Sequence, residues 1–535
     1  MDISRRRFLS FMGRGAALAT LAPSAVLAAC SGNAEAAAFQ LKPVSPSLED
    51  DLQLAEGFTY QNLISRGMPI NEDGSLTFGD NNDYLALIPD ADDPNKGMLW
   101  VNHEALTPLL ISGFDYQGEK TKAQIEAEMP YVGGSILRVE KNSDGQWTVI
   151  KGDPRNKRLD GWSEIPFTGN TSIAGSTTAI GTFGNCAGGV TPWGNILTCE
   201  ENTRDYYGDV IFDDSGNRSI DHEPAFYQWF RHTQRPPEHY GWVVEVNLQT
   251  GEAEKHVSMG RFAHECATVK ELDDKRCVVY TGDDDEDEHL YKFIGDTPGS
   301  LHTGKLYVAN LEKGAWVSLM LEDQPVLREH FKDQVEVMVR CREAAKLVGA
   351  TPLDRPEDIE IDPVTGAVLV TLTNNKPKGN YHGSILRLVE EDGNYESMAF
   401  SAETFLAGGE ESGFSCPDNM AFDSKGNLWL TCDISGGSIG EAPYQSFGNN
   451  GLYYIPMSGP DAGKVIQIAS APNNAEFTGP YFSPDGKELF LSVQHPGEKS
   501  KSKDEFTSHW PEGGSAEPKS SVVVIGGPAM EALMA

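Results

Sequence analysis

Six passages of the sequence return to one layout: an apolar strand, a polar turn, a second apolar strand, and then an acid, an amide or a histidine. They occupy residues 84–104, 188–202, 264–285, 356–375, 417–433 and 478–495. Their closing segments include Leu99-Trp-Val-Asn-His-Glu104, Val278-Val-Tyr-Thr-Gly-Asp283 and Trp429-Leu-Thr-Cys-Asp433. Asp-Gly, Thr-Gly and Lys-Gly dipeptides punctuate the chain, and long helical patterns are nearly absent. The starts fall roughly 60 to 100 residues apart, a spacing that suits propeller blades carrying inserted loops. An all-β, six-bladed β-propeller is expected, closed so that few strand edges stay bare. A seven-bladed propeller or two sandwich domains are the alternatives. In a propeller, polar residues at equivalent strand ends converge on the axis although they are far apart in sequence.

Three stretches interrupt the pattern. Residues 209–240 are rich in aromatics and histidine and are expected to cap one face. Residues 327–348 have the spacing of one amphipathic helix. Residues 499–519 are polar and read as a mobile loop. No linker divides residues 39–535, which are expected to form one catalytic propeller domain.

Asn185-Cys-Ala-Gly-Gly-Val-Thr-Pro-Trp-Gly194, followed by Ile196-Leu-Thr-Cys-Glu-Glu-Asn202, concentrates the chemistry. Gly188 and Gly189 suggest backbone angles that a side chain would forbid, presenting Cys186 at a corner. Glu200 and Glu201 leave the strand on opposite faces. A soft thiolate beside hard carboxylates suits a transition metal, whereas most cysteines are simply buried. His264-Glu265, Asp283-Asp-Asp285, Arg355-Pro-Glu-Asp358, Asp418, Asp433 and Glu476 repeat the acidic theme. Carboxylates beside one thiolate suggest Ca²⁺ sites next to a redox-capable or Lewis-acid metal. Arg355, biased towards extended backbone by Pro356, adds a fork that matches phosphate oxygens. Metals beside an arginine point to phosphoryl transfer to water, with an oxide or hydroxide nucleophile.

The chain has 535 residues and a formal charge of −36, with 79 acidic against 43 basic side chains. Such a balance argues against nucleic acid or an anionic membrane surface as partner. Ser4-Arg-Arg-Arg-Phe-Leu9 and the Ala-rich segment behind it resemble a twin-arginine export signal within residues 1–38. Leu27-Ala-Ala-Cys30 resembles a lipobox, so Cys30 is expected to carry a lipid, with cleavage among Ala34 to Ala38 as the competing outcome. A periplasmic or cell-surface lipoprotein, monomeric, is expected. Seven further cysteines leave at least one unpaired, which a metal-ligating thiol accounts for.

Together with Gly260-Arg-Phe-Ala-His-Glu265, Arg355-Pro-Glu-Asp-Ile-Glu360 and Val493-Gln-His-Pro-Gly-Glu498, the Cys186 stretch resembles the PhoX-type alkaline phosphatases, in the right order over essentially the whole chain. The resemblance implies a six-bladed propeller whose axis holds two oxo-bridged ferric ions with calcium beside them, hydrolysing small phosphomonoesters. It implies Cys186 as the iron-binding thiolate and Glu265 as an iron-linked carboxylate. Glu200, Glu201, Asp284, Glu357 and Glu476 fall among the iron and calcium ligands, to which the acidic theme adds Asp418. Arg355 holds the phosphate, and with Glu357 and Cys186 forms the expected catalytic set. Cys266 stands where the resemblance implies glycine and is expected to crowd the iron. A calcium-dependent lactonase-type hydrolase and a non-catalytic metal-binding propeller are the other readings.

Overall fold

Each of the six recurring passages folds as the innermost hairpin of a separate antiparallel sheet. The computed structural model describes residues 41–213 and 216–535, so the expected export signal and Cys30 lie outside the described residues. The innermost strands are Asn82–Pro89, Asn185–Val190, Thr268–Glu271, Pro356–Ile361, Pro417–Phe422 and Glu476–Phe482. Each packs on the next, and the last packs on the first, closing a ring of six blades.

Ring closure uses the chain's two ends. Thr59–Ser65 is the outermost strand of the sixth blade, paired with Ser521–Gly526. Gln53–Leu54 likewise edges the fifth blade against Ile466–Ser470. Unfolding the ring therefore requires breaking a ladder between residues far apart in sequence.

The strands are apolar on both faces because each blade is sandwiched between two others. In Leu428–Cys432, Leu428 and Leu430 enter the seam with the fourth blade, while Trp429 enters the seam with the sixth beside Phe477 and Leu491. Every seam holds such a cluster. A fully buried Leu or Phe contributes about 1.5–3 kcal/mol relative to exposure, so these seams hold the ring together.

The interruptions differ in part from expectation. The stretch at 209–240 forms a hairpin, Asp209–Phe212 with Arg218–Asp221, and its Tyr227, Trp229 and Tyr240 join Phe183, Tyr206 and Tyr207 in an aromatic cluster. The single helix expected at 327–348 is instead three short ones, Pro325–His330, Gln334–Val339 and Cys341–Leu347. Phe331 is extended, and the Asp333 side chain accepts from the Glu336 N–H at 2.9 Å, capping a new start. Residues 499–519, expected to be mobile, are tied down: Ser508 Oγ and the His509 N–H donate to the two Asp50 oxygens at 2.6 and 2.7 Å.

Candidate metal centre on the propeller axis

The innermost strands do not run in perfect register. Asn82 and Leu85 oppose His103 and Val101, so one extra residue is inserted between them. The same slip occurs after Asn185, Pro356 and Pro417. In the third blade it lies between the bridge His264–Asp283 and the pair Thr268–Tyr280. A bulge bends its strand and re-aims a side chain. The first residues of these five irregularities are Asp83, Cys186, Glu265, Glu357 and Asp418. Just past the end of the neighbouring strand, four of these blades carry Glu104, Glu201, Asp284 or Asp433.

Cys186 Sγ lies 3.4 Å from Asp83 Oδ2 and 3.2 Å from Glu265 Oε1. Three groups of potential ligand atoms, each within 4.8 Å of one another, run around the axis: Asp83, Glu104 and Cys186; Cys186, Glu201 and Glu265; Glu265, Asp284 and Glu357. They overlap through Cys186 and Glu265, forming one continuous band. Asp418 and Glu476 extend it, since each bears on Asp83. Burial first, then neighbouring acids, pushes the carboxyls of Glu201, Glu265, Asp418 and Glu476 well above the usual range, and the Cys186 thiol with them. Glu357 rises for the same leading reasons, against the pull of Arg355. So many buried acids cannot all ionise unless cations join them.

Arg355 reaches into this band. Its Nε and Nη2 donate to Asp284 at 2.9 and 2.7 Å, Nη2 lies 2.8 Å from Glu357, and Nη1 lies 3.6 Å from Asp433. Its backbone is not extended, as the following proline suggested, but left-handed, with φ +55°. Cys416, before Pro417, repeats this with φ +51°, and Asn81 and Gly184 turn the same way before their strands. The left-handed residue turns the chain sharply into the axial strand, at about 1–3 kcal/mol for a side chain other than glycine. Thr373 Oγ1 donates to Glu357 at 2.7 Å, and Asn202 and Gln494 amides donate to the two Glu104 oxygens.

Two expected features lie elsewhere. Glu200 is not in the band. Strand alternation sends it back into its blade, where Oε1 accepts from Lys255 Nζ at 2.6 Å and Oε2 from the Gly241 and Trp242 N–H groups. The Cys266 thiol does not crowd Cys186. As the second residue of its bulge it packs in the seam with the fourth blade, among Ala187, Val278 and Ile359. Nor do Gly188 and Gly189 take left-handed angles; they are needed for close approach, since a Cβ on Gly189 would stand 2.0 Å from the Ala267 carbonyl oxygen. Among the described residues the seven cysteines are free and buried. Asp83 and Glu104 are additions that sequence reasoning did not single out.

The model of the Alkaline phosphatase PhoX family matches residues 39–497. The chain belongs to the PhoX alkaline phosphatase family. It is therefore a phosphatase, and the lactonase-type and non-catalytic readings are set aside. The solved structure of Pseudomonas fluorescens PhoX in complex with vanadate, a transition state analogue, matches with a TM-score of 0.81. The two chains are 28% identical, over 92% of this chain and 98% of that one. The XC5397 gluconolactonase of Xanthomonas campestris matches at 10% identity and a TM-score of 0.33, over 92% of this chain and 99% of that one, too distant to bear on function. No curated protein matches. PhoX enzymes are metal-dependent, and three of the four groups of described residues that could hold an ion lie in the axial band.

Proposed function

We propose that the axial band holds ferric and calcium ions and that the chain hydrolyses small phosphomonoesters outside the cytoplasm. One observation carries the metal reading: Asp83 Oδ1 and Glu265 Oε2, on the two residues that flank Cys186, are buried without a hydrogen-bond partner. Buried carboxylate oxygens are seldom left bare, and a cation would satisfy both. Cys186, Asp83, Glu201 and Glu265 combine thiolate and carboxylate, which suits iron. Asp418, Asp433 and Glu476 offer oxygen alone, which suits Ca²⁺. When bound, such ions supply Lewis acidity and an activated water at neutral pH.

The chain's own groups do the positioning. On a molecule of charge −36 a phosphate is repelled, so Arg355 matters doubly. Its planar fork, held by Asp284 and Glu357, exchanges these carboxylates for oxygens of the transferring group when substrate binds and meets the charge that develops there. Thr373 fixes the Glu357 carboxylate beside that fork. A cavity of about 250 Å³, lined by Glu201, Arg204, Arg261 and Arg342 among others, leaves room for the leaving group.

The arginine pair at Arg5-Arg6 with Phe8-Leu9, and Leu27-Ala-Ala-Cys30, support export and lipid attachment. The test is turnover of a chromogenic phosphomonoester by purified protein whose iron and calcium are measured in the same sample. Turnover that tracks metal content is expected. Equal turnover by metal-free protein overturns the reading.

A further inference from the structure

A second group of metal-ligating side chains lies at the other end of the second blade. Its outer strands, Val243–Val246 and Ala253–His256, place Glu245 directly opposite Glu254, with His256 two residues on along the same face. Potential ligand atoms of the three lie within 4.8 Å of one another. Like charges directly opposite on a strand pair are destabilising, so this arrangement calls for a cation.

The third blade supplies a fourth donor. His302, in the turn between Leu290–Gly295 and Gly304–Asn310, brings its Nε2 to 2.5 Å from Glu254 Oε1. Its ring centre lies 5.9 Å from that of His256.

His256 is wholly buried, with Nε2 2.9 Å from Glu245 Oε2, and its Nδ1 is buried with no hydrogen-bond partner. The other Glu245 oxygen accepts from Trp193 Nε1 at 2.7 Å and Asn195 Nδ2 at 2.8 Å. Such hydrogen bonds from outside the donor set fix a ligating carboxylate in orientation. His302 is half exposed and gives an ion a path from solvent. This cluster is separate from the axial band. Glu245 pairs with Leu197, four residues before Glu201 on the neighbouring strand, or roughly 13 Å along it.

We propose that Glu245, Glu254, His256 and His302 form a structural site for a divalent transition metal, Zn²⁺ by its donor set, that pins the second blade to the third. Two imidazoles and two carboxylates complete a four-coordinate shell with no open position, the mark of a structural site. The ion relieves the Glu245–Glu254 repulsion and adds a polar tie at the outer end of the seam between the two blades. None of these residues belongs to the catalytic band, so the site stands independently of the metals there.

The test uses the enzyme with its catalytic metals in place, dialysed against Zn²⁺ and assayed for retained zinc. The parent should keep one Zn²⁺ per chain more than His302→Ala or Glu254→Gln, whose zinc affinity at this site should fall at least about tenfold. Both variants should turn over a phosphomonoester as the parent does, and Zn²⁺ should raise the melting temperature of the parent alone. In zinc-soaked parent crystals, anomalous scattering at the zinc edge should give a peak among the four side chains. Equal zinc retention by parent and both variants, or an anomalous peak only on the propeller axis, overturns the proposal.

Discussion

Cys186 Sγ and Glu265 Oε1 approach to 3.2 Å across the boundary between the second and third blades. Seventy-nine residues apart in sequence, they meet because each is the first residue of a strand irregularity at the same height on the axis. The contact brings a soft donor and a hard donor within reach of one cation.

Arg355→Lys should retain iron and calcium but lose at least about tenfold in kcat/KM, because lysine offers a point charge without the planar fork. Steady-state kinetics together with elemental analysis checks this. Parental kinetics would make Arg355 a structural partner of Asp284.

Calcium removal should be reversible. A calcium-selective chelator should strip the all-oxygen flank around Asp418 and Glu476 before a thiolate-anchored iron is lost. Activity should fall and return on adding Ca²⁺ while iron content stays constant. Full activity after verified removal of calcium contradicts a role for those ions.

Glu200→Gln should behave unlike changes in the axial band. It leaves Lys255 Nζ buried without its carboxylate, at a cost of about 3–5 kcal/mol. Denaturant unfolding should reveal that loss, while iron content of the folded enzyme stays at the parental level. Loss of iron at unchanged stability would return Glu200 to the ligand set.

Much of the ring was readable in the sequence because the six hairpins are marked by apolar runs ending in polar residues, as at Trp429-Leu-Thr-Cys-Asp433. Glu201 and Glu265, which the structure brings into the axial band, stand out in the sequence by position at a strand end or beside the histidine of a recurring motif. Asp83 was missed because it precedes the apolar run that begins at Tyr84, and because a bulge breaks the alternation that tells which way a side chain points. Aligning Asn82-Asp83 with Asn185-Cys186 and Pro417-Asp418 could have found it. Glu200 lies outside the band for the converse reason: it adjoins Glu201, but its partner Lys255 lies 55 residues away and no local pattern announces the pair. The restart of the helix at Asp333 was a local signal that the apolar spacing of 327–348 obscured.

The visible spectrum and iron content of Cys186→Ala, set against the parent, test most directly whether the axial band is an iron-containing catalytic centre. The parent should be coloured by thiolate-to-ferric charge transfer, since Ca²⁺ and Zn²⁺ absorb nothing in that range. Cys186→Ala should lose the band, hold less iron and fall steeply in phosphomonoester turnover, while the propeller persists because its seams do not depend on that thiol. Cys199→Ala, altering a thiol packed in the seam between the second and third blades, should keep both colour and iron. A colourless parent at full iron occupancy, or a Cys186→Ala variant that keeps band, iron and turnover, contradicts the assignment.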